Sequence, residues 1–185
     1  MHAAPEAYRR PSGLNPVNLE AIEEMPLKNL LGFVAGSLLT CVWLSGQAQM
    51  LDKKALSLEA AKQVVAAAEA EARKNGWNVS IAVVDEGGHL IMLQKLDGTQ
   101  YGSVDVSIQK AWTAAGFKRP TKVFEDAIAG GRTAILGIEQ ALPLEGGVPL
   151  LYRGQVVGAI GVSGVTSQQD GVVAKAGADW LAGAP

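Results

Sequence analysis

The chain has 185 residues, 48% of them hydrophobic and 18% charged, with 16 Lys or Arg against 18 Asp or Glu and a net charge of −2. That length suits one domain. The absence of a basic face or a basic amphipathic stretch argues against a nucleic-acid partner and against a membrane-surface protein, and the apolar content argues against disorder.

Residues 1–24 are acidic and broken by Pro5, Pro11 and Pro16, the wrong lead for an export signal. Met25 is therefore read as the true translation start. Lys28, the uncharged apolar run 30–44 and the small residues Gly46 and Ala48 form the three parts of a secretory signal spanning 25–48, cleaved near Ala48. The run falls short of the roughly 20 residues of a membrane span, so no stable membrane anchor is expected. Cys41, the one cysteine, lies inside it, and the mature chain can form no disulfide. Export without disulfides is compatible with a bacterial periplasm.

Leu58, Ala61, Val65, Ala68 and Ala72 then recur at helical spacing, with Ser57 as the predicted N-cap and Asn75-Gly76 as the stop. Residues 77–85 and 89–97 read as an antiparallel hairpin about the turn Glu86-Gly87-Gly88. A helix over 103–116 carries an apolar stripe of Val104, Ile108, Ala111, Trp112 and Ala115, with Lys110 and Thr113 on a neighbouring face and Gly116 as its end. Pro120-Thr121 opens a shorter helix to about Ala129, and 132–141 fits no period. Gly146-Gly147-Val148-Pro149 reads as a turn into a strand at 150–152, which returns through Arg153-Gly154 as a second strand at 155–164. Gly158 and Gly161 within it predict close backbone approach. A last helix starts at Ser167 and runs to about Leu181, with Asp170 spaced as in a capping box. Hairpins separated by helices predict an α+β domain over 49–185, an antiparallel sheet of about five strands flanked by helices.

Familiar catalytic and nucleotide motifs are missing. Beyond the signal His89 is the sole imidazole and there is no cysteine, so neither a Ser-His-Asp site nor a zinc site is favoured. Enzyme activity is left unassigned.

Four segments match a known family together and in order: VVDEGGHLIMLQKLDG at 83–98, IQKAWTAAGFKRPT at 108–121, EGGVPLLYRGQVVGAIGVSG at 145–164 and QQDGVVAKAGADWL at 168–181. On these the chain resembles the haem-degrading domain family, also called the GlcG/HbpS-like haem-binding family, over nearly all of 56–183. The sequence departs from the family pattern at Lys95-Leu96, where Arg-Met is usual, and at Gly171, where an acid is common. The resemblance implies a small sandwich with a central antiparallel sheet and a symmetric homo-oligomer. It also implies haem as the ligand in some members, with roles in haem sensing or breakdown.

Haem iron is usually held by His, Cys, Met or Tyr, which leaves His89, Met50, Met92, Tyr101 and Tyr152. His89 reads either as the iron ligand or as a half-exposed residue at a strand start, and Met92 reads as core. Lys110 and Thr113 read as an anion-holding pair or a solvated face. Gly147 and Pro149 read as a pocket wall or a plain turn. Ser163, near the last helix start, suits a carboxylate or propionate, and Asp170 reads first as a cap. The expectation is an exported haem- or tetrapyrrole-binding protein, with a small-carboxylate-binding module or a ligand-free structural oligomer as alternatives.

Overall fold

The computed structural model describes residues 50–184, and the predicted leader and signal segment, with Cys41, lie outside them. Helix α1 (Leu58–Lys74) starts where Ser57 Oγ accepts the Ala60 amide at 3.1 Å. It ends where Gly76 takes a φ of +69°, with the Trp77 N–H on the Ala72 carbonyl and the Gly76 N–H on that of Arg73, a Schellman closure. The hairpin follows as β1 (Ser80–Asp85) and β2 (Leu90–Lys95).

Helix α2 (Ser103–Phe117) runs past Gly116 and closes on Lys118, which adopts the left-handed conformation at φ 52°. Helix α3 (Lys122–Ala129) stands where the shorter helix was expected, and a short 3-10 turn (Thr133–Gly137) occupies part of the stretch that fitted no period. Strand β3 (Gly147–Tyr152) begins three residues earlier than expected, because Gly147 and Val148 pair with Gly161 and Ile160 instead of turning. Arg153 (φ 49°) and Gly154 (φ 78°) make the tight hairpin turn to β4 (Gln155–Ser163). Helix α4 (Ser167–Ala182) has its capping box one residue before the predicted one: Thr166 and Gln169 form it, which frees Asp170 for another task.

Among the described residues the sheet has four strands, not about five, in the antiparallel order β2-β1-β4-β3. Its two ends are edges. At β3 the edge is covered at Gly147, whose N–H donates to Thr121 Oγ1 (2.9 Å) and whose carbonyl accepts the Thr121 N–H (3.0 Å). Two residues on, Pro149 has no N–H to offer a further strand.

Helices α1 and α4 cover one face, where Ile81, Val83, Leu150, Ile160 and Val162 meet Val64, Val65, Val173 and Leu181. Helix α2 covers the other, where Ala82, Val84 and Ala159 meet Ala111, Ala114 and Ala115. Here the predicted stripe on α2 is corrected. The buried side is Ser103, Ser107, Lys110, Ala111, Thr113, Ala114 and Ala115, while Val104, Ile108 and Trp112 are only half-buried. The cause is Gly161: a Cβ there would overlap the Ser107 carbonyl and the Ala111 amide. The helix backbone lies so close to the strand that only small side chains fit between them.

Candidate functional site

Two polar constellations stand out, one inside the domain and one on its surface. The inner one joins α2 to α4. Lys110 Nζ lies 2.8 Å from Asp170 Oδ2 and donates to the Val162 carbonyl at 3.0 Å, and each of the two side chains is only 2% exposed. Gly146, at φ +126°, lets them meet, since a Cβ there would sit 2.8 Å from Nζ. The Val165 N–H donates to Asp170 Oδ1 at 3.2 Å. Burial raises the Asp170 carboxyl above its ordinary value against the pull of the Lys110 ammonium and the Val165 and Gly164 amides.

The other sequence-predicted contacts lie around this pair in structural bonds. Thr113 Oγ1 donates to the Gln109 carbonyl at 2.8 Å and accepts the Leu142 N–H at 2.9 Å, which fastens the 138–145 loop to α2. Gly147 is bonded to Thr121, and Pro149 is buried in the edge strand opposite Ala159. Ser163 is buried opposite Ser80 at the end of the sheet. Lys110, Gly147 and Asp170 therefore gather at one end of β3, with their polar groups bonded to one another or to neighbouring protein.

The surface constellation is built on the β1–β2 turn. Asp85 Oδ1 accepts the Gly87 and His89 amides, each at 2.8 Å, and Oδ2 lies 3.3 Å from His89 Nδ1. Burial acts to raise the Asp85 carboxyl, but the two amides and the imidazole outweigh it, and the net shift is downward. The carboxylate is thereby kept ionised beside a ring whose side chain is 84% exposed. Behind the turn stands Trp112. Gly88, at φ +84°, is required there, since a Cβ would lie 2.6 Å from Trp112 Cδ1. Trp112, Ile108, Gln109 and Gln140 line a surface cavity of about 340 Å³.

Met92 is half-buried against the main core, whereas Met50 and Tyr101 are almost fully exposed. Among the described residues no three His, Cys, Asp or Glu side chains gather as a metal cluster. Sequence reasoning missed Asp85, Trp112 and Gln140 as site residues. The spacing of Asp85 and His89 across a Gly-Gly turn is a readable signal for the first. Trp112 looked like core because the closeness of α2 to the sheet leaves no mark on α2 itself. Nothing in the sequence marks the backbone at Gln140.

The domain has known relatives. The family model described as "Haem degrading protein HbpS-like" matches residues 56–179. Protein GlcG of Escherichia coli is 47% identical over 114 residues, covering 62% of this chain and 85% of that protein. A double mutant of Streptomyces reticuli HbpS superposes with a TM-score of 0.66 at 34% identity, over 74% of this chain and 94% of that one. A crystal structure of a PduOC–haem complex superposes with a TM-score of 0.62 at 25% identity, over 68% of this chain and 94% of that one.

Proposed function

This chain belongs to the HbpS-like haem degrading protein family, and on that premise we propose that it is an exported haem- or tetrapyrrole-binding protein. The observation that carries the reading in this molecule is the Asp85–His89 pair. A histidine that ligates a metal usually gives its second ring nitrogen to a carboxylate, which fixes the tautomer and raises the basicity of the free nitrogen. Here Nδ1 faces Asp85 Oδ2, so Nε2 is the nitrogen left for iron.

The surroundings suit the same group. The cavity beside the turn lies in the roughly 300–1,000 Å³ range of small-molecule sites, and Trp112 and Ile108 offer an apolar surface for a macrocycle. His89 would hold the iron, Asp85 would orient His89, and Trp112 would support both the turn and the ring face. Haem when bound supplies redox chemistry at its iron, and the family description supports breakdown of the ring as the further activity. Homo-oligomer formation belongs to the same proposal. The carboxylate-module alternative loses its main cation, since Lys110 is spent on Asp170.

Titration of the purified full chain with haem tests this reading. A Soret band that saturates at micromolar haem is expected, with the band shifted or lost in His89→Ala and affinity about tenfold lower in Asp85→Asn. No Soret band at micromolar haem overturns it. Export is tested separately by fractionation and N-terminal sequencing. A mature terminus at Gln49 in the envelope or medium is expected, and an uncleaved chain confined to the cytoplasm removes the export claim.

A further inference from the structure

We propose that Gln140 contacts the ligand and sets specificity for a tetrapyrrole bearing free carboxylates, an inference that rests on the haem reading above. Gln140 lines the Trp112 cavity and holds φ at +65°, a left-handed conformation that side-chain-bearing residues adopt at a cost. Glycine would take that conformation freely. Among the described residues, an exposed glutamine of left-handed backbone that lines a cavity is unlike the other non-glycine residues of positive φ, Lys118 and Arg153, which cap a helix and turn a hairpin.

The loop is held where it is from α2. Thr113 Oγ1 takes the Leu142 N–H two residues beyond Gln140 and donates to the carbonyl of Gln109, which lines the same cavity. Among the described residues the lining therefore combines an indole and an isoleucine with two carboxamides. A carboxamide offers two N–H donors without charge. It can hold a carboxylate at the mouth of the cavity while leaving the apolar surface next to it free of a buried ion. An esterified carboxylate lacks the anionic oxygens that make such bonds strong.

The experiment compares haem with its dimethyl ester, titrated into the full chain, wild type, Gln140→Gly and Gln140→Glu, each checked for thermal unfolding without ligand. Gln140→Gly is expected to melt no lower than wild type, to bind haem about tenfold more weakly and to bind the ester unchanged. Gln140→Glu is expected to weaken haem further, by repulsion, and again to spare the ester. Variants that bind haem as wild type does, or that lose haem and ester equally, overturn the role of Gln140 and leave the haem reading standing. A wild-type chain that binds neither tetrapyrrole overturns both.

Discussion

On one face of the sheet, Ile81, Val83, Leu150, Ile160 and Val162 interdigitate with the valines and leucine of α1 and α4. On the other, Ala82, Val84, Ala159 and Gly161 lie against Ser107, Ala111, Ala114 and Ala115 of α2. The first face is stabilised by buried apolar area, which tolerates a lost methyl at a modest cost. The second is stabilised by close approach of backbone to backbone, which tolerates no added atom. The close approach has a second effect: with no room inside, Ile108 and Trp112 lie toward the rim of α2 and line a surface cavity whose Trp112 wall backs Gly88 of the β1–β2 turn.

The largest effect is expected where one atom is added to the tight face. In Gly161→Ala the new methyl would overlap the Ser107 carbonyl and the Ala111 amide, both backbone groups that cannot rotate away. The helix must lift off the strand along its length. A loss of more than about 3 kcal/mol is expected, at the upper end of overpacking costs, read as a fall in the urea midpoint. A midpoint within about 1 kcal/mol of wild type would mean that the two faces do not differ as described.

The next largest effect is expected at the pair that ties the two helical layers together. Lys110→Met leaves the Asp170 carboxylate buried without its ammonium. Breaking a buried pair usually costs about 3–5 kcal/mol, but Asp170 can relieve part of this by taking a proton, so about 2–3 kcal/mol is expected at pH 7. The sign with pH follows from the direction of the shift. Burial already raises the Asp170 carboxyl, and removal of Lys110 raises it further. A carboxyl with a folded pKa above its unfolded value contributes stability at low pH and loses it as pH rises through the folded value. The gap between variant and wild type should therefore narrow as pH falls from 7 toward 5. Urea midpoints at the two pH values check this, and a gap that widens toward acid would show that the uncompensated carboxylate is not its source.

The difference between the faces also explains what could be read beforehand. The apolar period of α1 from Ala61 to Ala72, its Ser57 cap and its Asn75-Gly76 stop were legible because apolar spacing and caps announce a helix on a conventional core, whereas Leu58, placed in the same period, is exposed in the first turn. The α2 stripe was misread because hydrophobicity ranks Ile108 and Trp112 above Ser107 and Ala111, whereas the space beside Gly161 ranks them the other way. Gly161 did signal close approach, but it could not say which helix would come close. Lys110 and Asp170 were both singled out as site residues, yet they lie 60 positions apart and nothing local pairs them. The Asp170 capping role failed because Thr166 with Gln169 satisfies the same motif one residue earlier.

The smallest effect is expected on the bulky face, one residue from Gly161. Ile160→Val removes the Cδ1 methyl, which lies against Gly177 of α4 and would be 2.8 Å from a Cβ placed there. The loss should be about 1 kcal/mol, the usual cost of this deletion in a core. The same contact makes a sharper test possible. Gly177→Ala gains helix propensity of roughly 1 kcal/mol, but its methyl would meet Ile160 Cδ1 and, at 2.9 Å, the Val64 carbonyl. In the Ile160→Val background the first obstacle is gone and the second remains. Gly177→Ala should therefore cost less there than in wild type, with a coupling of about 1 kcal/mol across the double-mutant cycle. Additive losses would mean that the Val64 carbonyl alone limits the approach of α4. The bulky face would then share, at that one point, the backbone-limited packing of its opposite.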